Sequence, residues 1–108
     1  MKPTHESMTY PCGLHAEFRC PAGSIHVRID RQLLPGCIYG EPTVSVNVGA
    51  TGCMTADHAL AMADVIRAAV QWGEEALFMR VMPAYQAHLA GDNSARCLAL
   101  GIELQSEV

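Results

Sequence analysis

Between His15 and Cys20 apolar and polar positions alternate, with Ala16, Phe18 and Cys20 pointing one way and His15, Glu17 and Arg19 the other. Successive side chains of an extended chain leave opposite faces, so this period predicts a half-buried strand. Pro21-Ala22-Gly23 is a turn signal, after which Ser24 to Asp30 repeats the alternation: Ile25, Val27 and Ile29 inward, His26, Arg28 and Asp30 outward. Leu34-Pro35-Gly36 turns the chain again. Past Cys37-Ile38-Tyr39 and a bend at Gly40-Glu41-Pro42, the run Thr43 to Val48 sets Val44, Val46 and Val48 on one face and Ser45 and Asn47 on the solvent side. The first half predicts a meander of antiparallel strands.

Gly49-Ala50-Thr51-Gly52 interrupts the last of these strands, and the period then becomes helical. Thr55 offers an oxygen to cap a helix and Asp57 suits the positive end of its dipole, which predicts a long helix from about 56 to 81. Pro83 disfavours helical backbone at Met82, so the helix is expected to end or kink there, with a short helix from Ala84 to Ala90 closed by Gly91. On a helical wheel Asp57, Asp64, Gln71 and Glu75 nearly align, with Arg67 and Glu74 beside them. Ala59, Met62, Ala63, Ile66, Ala69, Val70, Gly73, Leu77 and Val81 are expected to face the sheet. Val65, Ala68, Trp72, Ala76 and Met79 widen the apolar stripe beyond one packing face, which calls for a second cover.

From Arg96 to Leu104 the alternation returns, with Leu98, Leu100, Ile102 and Leu104 on one side, and predicts a C-terminal strand, central or covered on both faces. The expected fold is α+β: an antiparallel sheet of about four strands, one long helix packed on one face, a short helix after Pro83 and the C-terminal strand. A chain of 108 residues, half of them apolar, is read as a single domain spanning 1–108, able to bury a core without staples.

Charge narrows the partners. Seven Lys and Arg stand against eleven Asp and Glu, for a net charge of −4. The acidic excess lies after Cys53, where Arg67, Arg80 and Arg96 face Asp57, Asp64, Glu74, Glu75, Asp92, Glu103 and Glu107. No basic cluster follows a phosphate backbone, so nucleic acid is not an expected partner. The acidic residues are too few and dispersed to imitate phosphates. Met1 to Ser7 carries no secretory signal, and charges interrupt the one long apolar region, so the chain is read as cytoplasmic and without a membrane partner. Five cysteines at irregular spacing suit reduced thiols better than a disulfide framework.

The candidate chemistry is sparse. Cys12-Gly13-Leu14-His15, followed by Cys20 and Cys37, offers four weak candidate ligands for zinc, but the spacing matches no zinc module and small buried thiols explain them as well. Cys53, just before the predicted helix with His58 one turn on, is the best placed thiol for a lowered pKa; a small residue in a Gly-rich turn is the plainer explanation. Gly49-Ala50-Thr51-Gly52 resembles a phosphate-holding loop only in geometry, with no Lys or Arg near it. Glu74 and Glu75 point apart on a helix, and no nucleophile elbow, zincin motif or dinucleotide fingerprint occurs.

With no catalytic residue or cofactor indicated, the expected function is that of a small acidic protein-interaction module, homodimeric or bound to another protein. A phage or mobile-element inhibitor or adaptor is one specific form of it. Its predicted contact surface is Val65, Trp72, Met79, Phe78 and Glu75, with Trp72 as anchor. Two alternatives stand beside it. One is a small-molecule binder with an apolar pocket of Met62, Met79, Met82 and Trp72 between helix and sheet, and the other a small zinc-stabilised module on Cys12 and His15.

Overall fold

The computed structural model describes residues 1–50 and 52–102. Four strands come first: β1 (His5–Thr9), β2 (Gly13–Cys20), β3 (Gly23–Leu34) and β4 (Ile38–Ala50). They form one sheet in the order β1-β2-β3-β4, each antiparallel to its neighbour, as short turns between consecutive strands require. The alternation read from the sequence places Ala16 and Phe18 of β2 and Ile25, Val27 and Ile29 of β3 on one buried face, with Cys20 partly buried beside them, and Leu14 extends that face. β1 is an addition to the expected strands. All five of its residues are exposed, so it carries no apolar alternation, and only its pairing, from His5 opposite Glu17 to Thr9 opposite Gly13, makes it a strand.

The helical half begins with α1 (Ala56–Ala76), whose N-cap Thr55 accepts a hydrogen bond from the His58 N–H at 3.2 Å. Its buried stripe is Met62, Val65, Ala69, Gly73 and Ala76, a spacing of three and four that fits one seam on the sheet. That seam is rotated from the expected face, because Ala59 and Ala63 are exposed while Val65 is buried. Gly73 lies on both the expected and the observed face and marks where the two elements come closest. A Cβ there would come within 2.9 Å of Val44 Cγ1 and 3.0 Å of Val27 Cγ1, so the bare glycine is where the helix presses closest to β3 and β4. Trp72 sets its ring edge-to-face against Phe18, centroids 6.0 Å apart, and so covers part of the surplus flank within the chain.

The helix does not stop before Pro83. Leu77–Val81 is a π turn in which the Met82 N–H reaches back five residues to the Leu77 carbonyl, and α2 (Met82–Leu89) continues from it. Proline has no N–H to give and crowds the preceding turn; the wider turn makes room, so the expected end or kink near Met82 takes the form of a π turn within a helical path from Ala56 to Leu89.

The expected C-terminal strand is overturned over most of its length, since Asn93–Leu100 form a third helix, α3. Asp92 caps it by accepting from the Ala95 N–H at 3.0 Å, and Gly101 ends it in the left-handed conformation at φ 83°. The leucine alternation was too short to decide the period: at helical spacing Arg96, Cys97 and Leu100 turn inward together while Leu98 is left exposed. The remainder of the predicted strand, Glu103 and Leu104, lies outside the described residues. Arg80 fastens the two ends of the chain's path, pairing with Glu6 of β1 and donating to the Leu100 carbonyl at the end of α3. Among the described residues no helix is long and apolar enough to cross a membrane.

Candidate functional site

The sheet face turned away from α1 is polar. The register sets His15 opposite Arg28 and Glu17 opposite His26, and on the other side of β3 it sets His26 opposite Asn47 and Arg28 opposite Ser45. His15, His26, Arg28, Ser45 and Asn47 thereby surround one shallow hollow of about 460 Å³. The rings of His15 and His26 are within 7° of parallel, with His15 Nε2 3.2 Å from His26 Nδ1. His26 Nε2 is in turn 3.2 Å from Ser24 Oγ. The chain Ser24–His26–His15 holds the imidazoles in place, but each link admits only one hydrogen between its two atoms.

Charge is distributed unevenly on this face. Burial first, then the neighbouring His26 and Arg28, push the His15 pKa below its ordinary value. Glu17 is held by Arg19, whose Nε donates to it at 2.8 Å, and this bond lowers the Glu17 pKa. Arg28, by contrast, has no carboxylate at ion-pairing distance among the described residues. The sequence placed each of these side chains on solvent-facing positions; the register across three strands, which gathers them into one hollow, was not legible from single-strand alternation.

A second feature is the edge of the sheet. β1 is short, carries Glu6, and is tied down through Arg80, the usual protections of an edge strand. β4 is thirteen residues long with Glu41 as its sole charged residue, and among the described residues it pairs only with β3. Val46 and Val48, on the side facing the helices, remain 36% and 44% exposed because α1 lies over the middle of the sheet and leaves the rim of β4 open. At the tip of the β3–β4 hairpin Leu33, Ile38 and Tyr39 are also exposed.

The residues expected to carry chemistry are not brought together. Cys12 sits in the core, where burial above all, with Asp30 adding to it, pushes its thiol pKa up. His15 leaves the opposite face of the sheet, Cys20 donates its thiol hydrogen to the Gly23 carbonyl at 3.3 Å, and Cys37 is exposed in the β3–β4 turn. Among the described residues no group of three or more His, Cys, Asp or Glu is placed to share a metal ion. Cys53 is exposed before α1, and no described hydrogen bond joins it to His58.

The predicted interaction surface divides in the same way. Val65 belongs to the core and Trp72 is half-covered by Phe18, while Phe78, Met79 and Glu75 are exposed. Trp72, Glu75 and Met79 still border a hollow of about 340 Å³ with Ala76 and Arg80. The apolar pocket expected from Met62, Met79, Met82 and Trp72 does not form as a set, because Met62 is buried against the sheet and Met79 points to solvent. Comparison of the chain with protein-family models, with curated proteins and with solved structures finds no match.

Proposed function

We propose that this chain is a protein-interaction module that associates with a second copy of itself by antiparallel pairing of the two β4 edges. The observation that carries the reading is the uncharged run Thr43–Val48 along that edge, bounded by Pro42 on one side and Gly49-Ala50 on the other. A two-fold axis through Val46 sets Val46 against Val46, Val44 against Val48 and Ser45 against Asn47. Apolar meets apolar on the helix side and amide meets hydroxyl on the polar side, so the strand is complementary to itself in this register. Pairing would satisfy the free backbone groups of the edge and cover Val46 and Val48, continuing the sheet across the axis. This moves the contact from the helix flank, where Val65 and Trp72 are already engaged, to the sheet rim.

Native mass spectrometry and sedimentation over a concentration series test the reading. The wild-type chain is expected as a dimer. Val46→Lys, which sets two ammonium groups against each other at the axis, is expected as a folded monomer with an unchanged circular dichroism spectrum, whereas Phe78→Ser is expected to remain dimeric. A wild-type monomer throughout, or a dimer lost with Phe78→Ser and kept with Val46→Lys, overturns it.

A further inference from the structure

We infer that the hollow between His15, His26, Arg28, Ser45 and Asn47 is a binding site for a doubly charged tetrahedral oxyanion, a phosphate or sulfate group, taken up together with a proton. This reading rests on His15, His26 and Arg28 of β2 and β3, which lie inside the sheet from the β4 edge; Ser45 and Asn47 border the hollow from the strand proposed to pair. His15, His26, Arg28 and Asn47 can each donate a hydrogen bond into the hollow, Ser45 donates its hydroxyl to the Arg28 carbonyl at 3.3 Å, and among the described residues no carboxylate lines it. Arg28 supplies a fixed charge whose guanidinium is not engaged by an acid among the described residues. A hollow of about 460 Å³ is large enough for a phosphate group with a small organic substituent.

The proton follows from the histidine pair. At 3.2 Å, His15 Nε2 and His26 Nδ1 share one hydrogen, so one of the two nitrogens is spent as an acceptor. A second hydrogen between them would set two donors face to face unless an anion lies within reach of both. The groups around the pair are His5 from β1, Glu17 and Arg19 from β2, and Arg28 and Asp30 from β3, while β4 contributes Ser45 and Asn47 without charge. Glu17 is occupied by Arg19, and Asp30 accepts from the Arg31 N–H, which leaves no acid engaged with the imidazoles by hydrogen bond. A dianion seated beside Arg28 offsets the second positive charge and converts both rings into donors.

The experiment is a titration of the full chain followed through the imidazole resonances and by calorimetry. The probes are sulfate, inorganic phosphate and phenyl phosphate, with chloride matching ionic strength. Sulfate keeps its charge between about pH 5 and pH 8, so a pH dependence of its binding reports protons taken up by the protein. Saturable binding of sulfate that tightens as pH falls, with the His15 and His26 signals moving together, is expected. Arg28→Gln is expected to weaken it about tenfold or more, the worth of one charge-assisted hydrogen bond. The exposed Arg67→Gln on α1 is expected to leave it unchanged. Equal affinity for inorganic phosphate and phenyl phosphate supports a site for the group alone, and tighter binding of phenyl phosphate supports an ester as the source. Shifts that chloride reproduces, binding that ignores pH, or binding kept intact in Arg28→Gln overturns the inference.

Discussion

The guanidinium of Arg96 donates from Nη1 to the Pro11 carbonyl at 2.6 Å and so ties α3 to the chain just before β2. Nε and Nη2 both reach Asn93 Oδ1, at 3.2 and 2.8 Å, and the face of the group lies 4.9 Å from the Tyr10 ring centroid. A cation buried to this degree persists because its donors are engaged. Leu100, Cys97 and Arg96 then dock as one unit, which fixes where a helix of only eight residues packs.

Arg96→Ala is therefore expected to lower the unfolding free energy by about 1–3 kcal/mol, the cost of leaving buried acceptors such as the Pro11 carbonyl unpaired. Arg96→Lys is expected to recover little, since an ammonium does not reproduce the planar fork that serves Pro11, Asn93 and the Tyr10 ring together. Urea titrations of the two variants against wild type check this, and a lysine variant as stable as wild type would show that charge alone holds α3.

Gly73 tests how closely α1 approaches the sheet. Gly73→Ala gains about 1 kcal/mol in helix propensity. It also forces a methyl to within 2.9 Å of Val44 Cγ1, and overpacking of this kind costs about 1–3 kcal/mol. The net expectation is a destabilisation of about 1 kcal/mol. Val44→Ala alone removes packing, but combined with Gly73→Ala it vacates the space the new methyl needs, so the double variant is expected to be more stable than the sum of the two losses implies. Strictly additive losses in a denaturant series would mean that residue 73 and Val44 do not meet across the helix–sheet seam.

The same two contacts show what the sequence could and could not convey. Alternation in His15–Cys20, Ser24–Asp30 and Thr43–Val48 was enough for three strands and their inward faces, because a period of two is set locally. β1 escaped notice because all its residues are exposed and its pairing with β2 is a nonlocal fact. On α1 the wheel finds Met62, Ala69 and Gly73 of the seam but weighs every apolar residue alike, so it places Val65 and Ala76 on the flank and Ala59 and Ala63 on the sheet, the reverse of the observed burial. At the C-terminus the strict alternation of Leu98, Leu100 and Ile102 reads as a strand, but the Asp92 cap and the inward turn of Arg96, Cys97 and Leu100 make a helix that leaves Leu98 exposed. At the open face each residue was oriented correctly, yet the His15–His26 contact and the placement of Arg28 beside it needed the cross-strand register.

That contact has a consequence for acid stability. Burial, His26 and Arg28 hold the His15 pKa below its value of about 6.5 in the unfolded chain. The unfolded state therefore binds the proton more readily, and the stability associated with neutral His15 is full above that pH and lost as pH falls from it through the folded-state pKa. Glu17, whose pKa is lowered by Arg19, acts only at more acid pH and so does not share this window. Melting temperature measured in steps from neutral to mildly acid buffer, without sulfate or phosphate, is expected to fall less steeply for His15→Gln than for wild type. Added sulfate is expected to flatten the wild-type slope and leave that of the Arg28→Gln, His15→Gln double variant unchanged, since the anion compensates the second proton only where its binding groups remain. Parallel slopes for wild type and His15→Gln would remove His15 as a source of acid sensitivity.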